Sequence, residues 1–125
     1  MTGEGPFGHP GRPDLCARTW PEAIRWIVDA LLDDAVRYSM VLPLPSEVVR
    51  ERLHAAAAGL GAGTTPVRVH LDLSDANVVV DLQRSTPQVT EFNHHERAFR
   101  GDPAADLVPP ALLGDVAEDA DLLAG

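Results

Sequence analysis

The chain has 125 residues, 45% of them hydrophobic, with 19 acids against 10 bases and a formal net charge of −9. That length and apolar share suit one domain with a real core and exclude a chain disordered throughout. The acidic balance argues against phosphate backbones and anionic lipid surfaces as partners, and no stretch approaches the ~20 apolar residues of a membrane span.

Cys16 is the single cysteine, so no intramolecular disulfide can form, and a reducing compartment is the simple reading. The polar, Gly/Pro-rich start lacks the apolar run of a signal peptide. All ten bases are arginine, and Ala, Asp, Gly and Pro are heavily used, a bacterial high-GC composition. The expected location is the cytoplasm.

Residues 1–18 hold four glycines and three prolines without periodicity and read as a flexible arm. A first helix is then predicted. Thr19 caps it, Pro21 suits its first turn, and Glu22 completes a capping-box spacing. Ile24, Ile27, Val28, Leu31, Ala35 and Tyr38 recur at helical spacing as its apolar face. Arg25 with Asp29 and Asp33 with Arg37 form expected i,i+4 pairs. Pro43 and Pro45 are expected to stop it. Ser46 opens a second helix with Val49, Leu53, Ala56 and Leu60 at helical spacing and four alanines at 55–58. Gly59, Gly61 and Gly63 end it.

Val67, Val69, Leu71 and Leu73 alternate with polar residues, and Val78, Val80 and Leu82 repeat the pattern after the turn-rich Ser74–Asn77. This predicts an antiparallel hairpin with Leu73 opposite Val78. The same register places His70 opposite Asp81. A short third strand is expected through Val89–Phe92. Residues 101–125 read as an acidic tail or docking segment, with Leu112, Leu113, Val116, Leu122 and Leu123 as its apolar contacts. The fold class is therefore α+β. Two N-terminal helices pack on a small antiparallel sheet, with the body at residues 19–100 between arm and tail.

Three polar groups are candidates for chemistry. His70 and Asp81, as a cross-strand pair, have Cβ atoms about 5 Å apart, and a carboxylate beside an imidazole could orient it for acid–base work. They are the catalytic candidates, against an ordinary ion pair on a wet sheet face. His94, His95 and Glu96 are the metal-ligand candidates by residue type. Adjacent residues point in different directions, so a third ligand from elsewhere would be needed, and a polar surface segment is the alternative. On the first helix Asp34 has no arginine four residues away, unlike Asp29 and Asp33, and is the cofactor-binding candidate. Cys16 has no His or Asn pattern around it. The sequence has no phosphate loop, nucleophile elbow or zinc-type cysteine spacing.

Leu31-Leu32-Asp33-Asp34-Ala35-Val36-Arg37-Tyr38-Ser39 resembles the N-box helix of the small histidine-kinase-like ATPases that serve as anti-sigma factors in actinobacteria. Pro66–Leu71 and Val78–Leu82, ending in Ser85-Thr86-Pro87, resemble the strands that follow it. Together these pieces cover under a third of the chain. The chain departs from the family at Ala30, where the catalytic Glu would stand, and at Asp34, where the family has a Mg-holding Asn. The Gly-rich adenine and lid boxes have no counterpart, and 27 residues, Met40–Pro66, replace a short loop. The resemblance implies a degenerate, truncated domain that has lost nucleotide chemistry and kept a protein-binding role.

The expected function is thus a non-catalytic regulatory or accessory module that binds another protein and calls for no cofactor. One alternative is a small enzyme or ligand binder of secondary metabolism built on His70 and Asp81. Another is a degenerate nucleotide-binding domain of anti-sigma type. The Ala-rich second helix would also allow a homodimer by close helix packing.

Overall fold

The computed structural model describes residues 5–113, and it is an α+β fold. The elements run α1 (Trp20–Arg37), α2 (Ser46–Ala58), β1 (Val67–Val69), β2 (Val78–Asp81), β3 (Gln88–Phe92), β4 (Phe99–Gly101) and α3 (Val108–Leu113), joined by short 3-10 turns. Two compact units result. One comprises residues 5–67 together with 100–102, and the other residues 68–99 with 103–113. No helix among the described residues is long and apolar enough to cross a membrane.

In the first unit, α1 starts where its capping signal stands. Thr19 is extended at the N-cap position, and its hydroxyl donates to Glu22 Oε2 at 2.9 Å. Pro21 loses nothing there, because the first amides of a helix have no intrahelical acceptor. The buried residues of α1 are Trp20, Ala23 and Leu32. Leu31 and Tyr38, expected on the buried face, are exposed. The buried stripe is displaced from the one predicted, and Tyr38 sits past the last helical residue as the C-cap.

Residues read as a flexible arm pack instead of trailing. Phe7 and Ala17 are buried and exchange two backbone hydrogen bonds of 2.9 Å. The Phe7 and Trp20 rings lie 5.8 Å apart, a separation at which aromatic pairs attract. Glycine makes the approach possible. Gly8 has φ +111°, and a Cβ there would stand 2.3 Å from the Leu15 carbonyl oxygen.

Helices α1 and α2 pack on each other, and their polar seam differs from expectation. Neither predicted i,i+4 pair forms. Arg50 of α2 reaches across to both Asp29 and Asp33, with 2.8 Å to Asp33, and His54 Nε2 lies 2.8 Å from Asp29. Positions 29 and 33, like 50 and 54, are one turn apart on one helix face, so the two rows match. The hydrogen bond to Asp33, then that to Asp29, raises the Arg50 guanidinium above its ordinary pKa.

In the second unit the predicted hairpin of β1 with β2 does not form. β1 pairs with β4, and β2 pairs antiparallel with β3, as Val78↔Phe92, Val80↔Val89 and Asp81↔Gln88. The expected third strand is present as β3. The cause of the changed pairing lies just past β1. The amides of His70 and Leu71 both donate to Asp106 Oδ1, at 2.7 and 2.8 Å, and Leu71 takes φ +58°. Donors committed to a side chain are lost to a ladder, and a left-handed leucine cannot continue a strand. Asn77, buried, then organises the turn before β2. Its Nδ2 donates to the Asp72 carbonyl at 2.7 Å, and its own carbonyl accepts from Asn93 N at 2.8 Å. Val69, Phe99 and Ala105 form the apolar centre of this unit.

Of the segment read as tail, residues 103–107 form a 3-10 turn that leads into α3. Val116, Leu122 and Leu123 lie outside the described residues. Truncating the buried Leu32 to Ala removes three carbons' worth of packing at a buried site, and core Leu→Ala changes typically cost about 2–5 kcal/mol. Leu32→Ala should lower stability by about 3 kcal/mol in urea unfolding, whereas Leu31→Ala, one residue away on the exposed side, should change it by under about 0.5 kcal/mol.

Candidate functional site

The link between α1 and α2 is an exposed apolar surface feature. Helix α1 ends before either proline, in a Schellman motif. Met40 N donates to the Ala35 carbonyl at 2.8 Å and Ser39 N to the Val36 carbonyl at 3.1 Å, with Ser39 left-handed at φ +53°. This motif satisfies the last carbonyls and usually takes glycine at the left-handed position. A serine there costs about 1 kcal/mol of backbone strain. The chain then runs as Met40-Val41-Leu42-Pro43-Leu44-Pro45. Pro45 takes φ −51° and ψ 140°, and α2 begins at once.

The link is apolar and exposed. Val41 is 96% accessible, Tyr38 70%, Met40 64% and Val36 62%. Between them lies an open depression of about 340 Å³ whose walls include Ala35, Val36, Met40, Leu42 and Leu44. Connecting segments run over the surface, and this one clusters several large apolar side chains there. Prolines 43 and 45 and the two Schellman bonds restrain its backbone, so little entropy is lost on binding. The sequence reading gives residues 40–45 only the role of stopping a helix. The signal was present in the unbroken apolar run itself.

The sequence-predicted site residues fall elsewhere. Asp34 lies on exposed α1 and is 3.6 Å from Arg37, an i,i+3 pair. His70 and Asp81 are not a cross-strand pair, because β1 and β2 do not pair with each other. Asp81 instead organises the β2–β3 loop. It accepts from Gln83 N at 2.9 Å and from Arg84 Nε at 3.1 Å. His70 Nε2 lies 2.7 Å from the Asn93 carbonyl, so Nε2 is the protonated nitrogen, and Nδ1 is buried without a partner. His95 meets His70 edge-to-face with ring centroids 4.9 Å apart. Histidines 70 and 95 are thus brought together, a proximity that the 24 residues between them in sequence hide.

His94 takes φ +63° at the head of the 3-10 turn His95–Arg97, and its Nδ1 is 3.1 Å from Glu96 Oε1. The Glu96 carboxyl is held below its ordinary value of 4.5, first by its own backbone amide and then by His94. No cluster of three or more His, Cys, Asp or Glu among the described residues has the geometry to hold a metal ion. Comparison with protein-family models, curated proteins and solved structures gave no match.

Two outcomes test this unit. Asp106→Ala strands two backbone donors and frees Leu71 from its left-handed turn. Losing such charge-assisted bonds should cost about 2 kcal/mol, read as faster hydrogen exchange at the His70 and Leu71 amides, and Asp106→Asn, which keeps Oδ1, should recover part of the protection. Glu96 has a depressed folded pKa, so its contribution to the 94–97 turn is complete above the unfolded carboxyl pKa and is lost as pH falls through the folded one. A carbon-detected NMR titration should place the Glu96 midpoint below 4.5, and His94→Ala should move it upward.

Proposed function

We propose that the chain is a non-catalytic regulatory or accessory module of a bacterial cytoplasm, and that it binds another protein through the α1–α2 link. The observation that carries this reading is the apolar run from Met40 to Leu44, which with Val36 surrounds an open depression. The occupant is an apolar segment flanked by basic residues. The net charge of −9 disfavours a second copy of the chain and favours a basic partner. The engagement of Asp81 and Asp34 with neighbouring arginines supports a binding role over an acid–base or cation-dependent one.

Kinship with the anti-sigma type of histidine-kinase-like ATPase belongs to the same proposal. In that reading, the helix that resembles the N-box carries the retained partner surface at its C-terminal end, and nucleotide chemistry is gone.

The exposed β2–β3 ribbon, with Val80 paired to Val89, is also apolar. The test is a photo-crosslinking amino acid placed at Val41 or at Val89 in the full chain, expressed in the host. A single stoichiometric adduct from position 41, lost in Met40→Glu, is the expected result. An adduct from position 89 alone, or none from position 41, overturns the assignment to the link.

A further inference from the structure

A second concavity, independent of the docking link, lies in the N-terminal segment. It has a volume of about 350 Å³ and is lined by Gly5, Pro6, Gly8, Pro10, Pro13, Cys16 and Arg100. That volume is at the small end of the range for ligand pockets, which are mostly apolar with a few placed polar groups.

Its construction is specific. Gly8 and Arg100 exchange two backbone hydrogen bonds, of 2.8 and 3.0 Å, which fix Arg100 beside the segment. Gly5 has φ +142°, and a Cβ there would stand 3.1 Å from Arg100 Cζ. Two glycines in the left-handed region therefore let the loop close around the guanidinium. The thiol of Cys16 donates to the His9 carbonyl at 3.2 Å.

Arg100 is the chemical feature that needs an explanation. An arginine stays charged and presents a planar fork of donors. Its Nε is buried without a hydrogen-bond partner, and the residue makes no ion pair among the described residues. A buried donor left unsatisfied is costly and rare. In a chain with 19 acids to 10 bases, carboxylate partners are abundant, yet this guanidinium pairs with none of the described ones. The residue lines instead a mostly apolar cavity that three prolines share.

We propose that this cavity is a binding site for a small monocarboxylate with an apolar body, its carboxylate held by the Arg100 fork and its body packed on the three prolines. With Nε closed to solvent, the carboxylate takes the terminal nitrogens of the fork. The proline rings would favour a flat hydrocarbon body over a bare inorganic anion.

Benzoate is the probe, with benzamide as its neutral isostere and inorganic phosphate as the anion without an apolar body. Each is titrated into the full chain and followed by proton–nitrogen correlation spectra. Benzoate should shift the Gly5, Gly8 and Cys16 amides and the Arg100 Nε–H saturably, with a Kd at least about tenfold below those of benzamide and phosphate. Arg100→Gln should weaken benzoate by about tenfold or more and leave benzamide unchanged, and Arg100→Lys should fall between. The comparison of the three probes on the unaltered chain stands even if Arg100→Gln disturbs the Gly8 pairing. Benzamide binding as tightly as benzoate overturns the role of Arg100. Phosphate binding as tightly as benzoate overturns the apolar-body class, and an absence of saturable shifts at these residues overturns the site.

Discussion

One carboxylate oxygen decides how the strands of the second unit pair. Asp106 Oδ1 accepts the amides of both His70 and Leu71, so β1 ends at Val69 and the chain turns through a left-handed leucine. With those donors gone, the strand cannot run on past Val69 toward the turn before β2. β2 finds β3 across a short loop, and β4 returns to β1. The arrangement of His70 follows from the same bond, with its ring against His95 and its Nε2 on the Asn93 carbonyl. The backbone strain at Leu71 persists because two charge-assisted hydrogen bonds hold it.

In the first unit the matching role belongs to Arg50. It joins two carboxylates one turn apart on α1 to the facing side of α2. Its side chain and that of Asp29 are partly exposed, so the contribution lies more in the register of the two helices than in net stability. With α1 and α2 packed and α1 closed by its Schellman turn, the eight residues between them project apolar side chains that the helix pair leaves uncovered. A surface of that kind suits recognition of a partner, and the absence of regular structure in the link is what allows Val41 to stand so far out.

The N-terminal segment joins the first unit through a different device. Phe7 reaches Trp20, and two glycines at positive φ let the backbone come close to Leu15 and Arg100. Gly/Pro-rich composition usually signals freedom. Here the prolines restrict the chain, the glycines allow close approach, and one buried aromatic anchors the segment. The same choice of residues leaves a mostly apolar cavity with Arg100 in its lining.

Local chemistry determined the helices. Thr19 and Glu22 placed the start of α1, the glycines after Ala58 closed α2, and the valines at 78–80 and 89 marked strands, all within a few residues' reach. The α+β class followed from these signals alone. Tertiary structure decided the rest, for a common reason: the partners are distant in sequence. Asp106 lies 35 residues from Leu71 and Arg50 lies 21 from Asp29. A period-2 pattern shows that a segment is a strand but not which strand it meets, so the His70–Asp81 opposition dissolved once Asp106 took the donors. The exposed link was legible as an apolar run, but only packing could show that it stays uncovered.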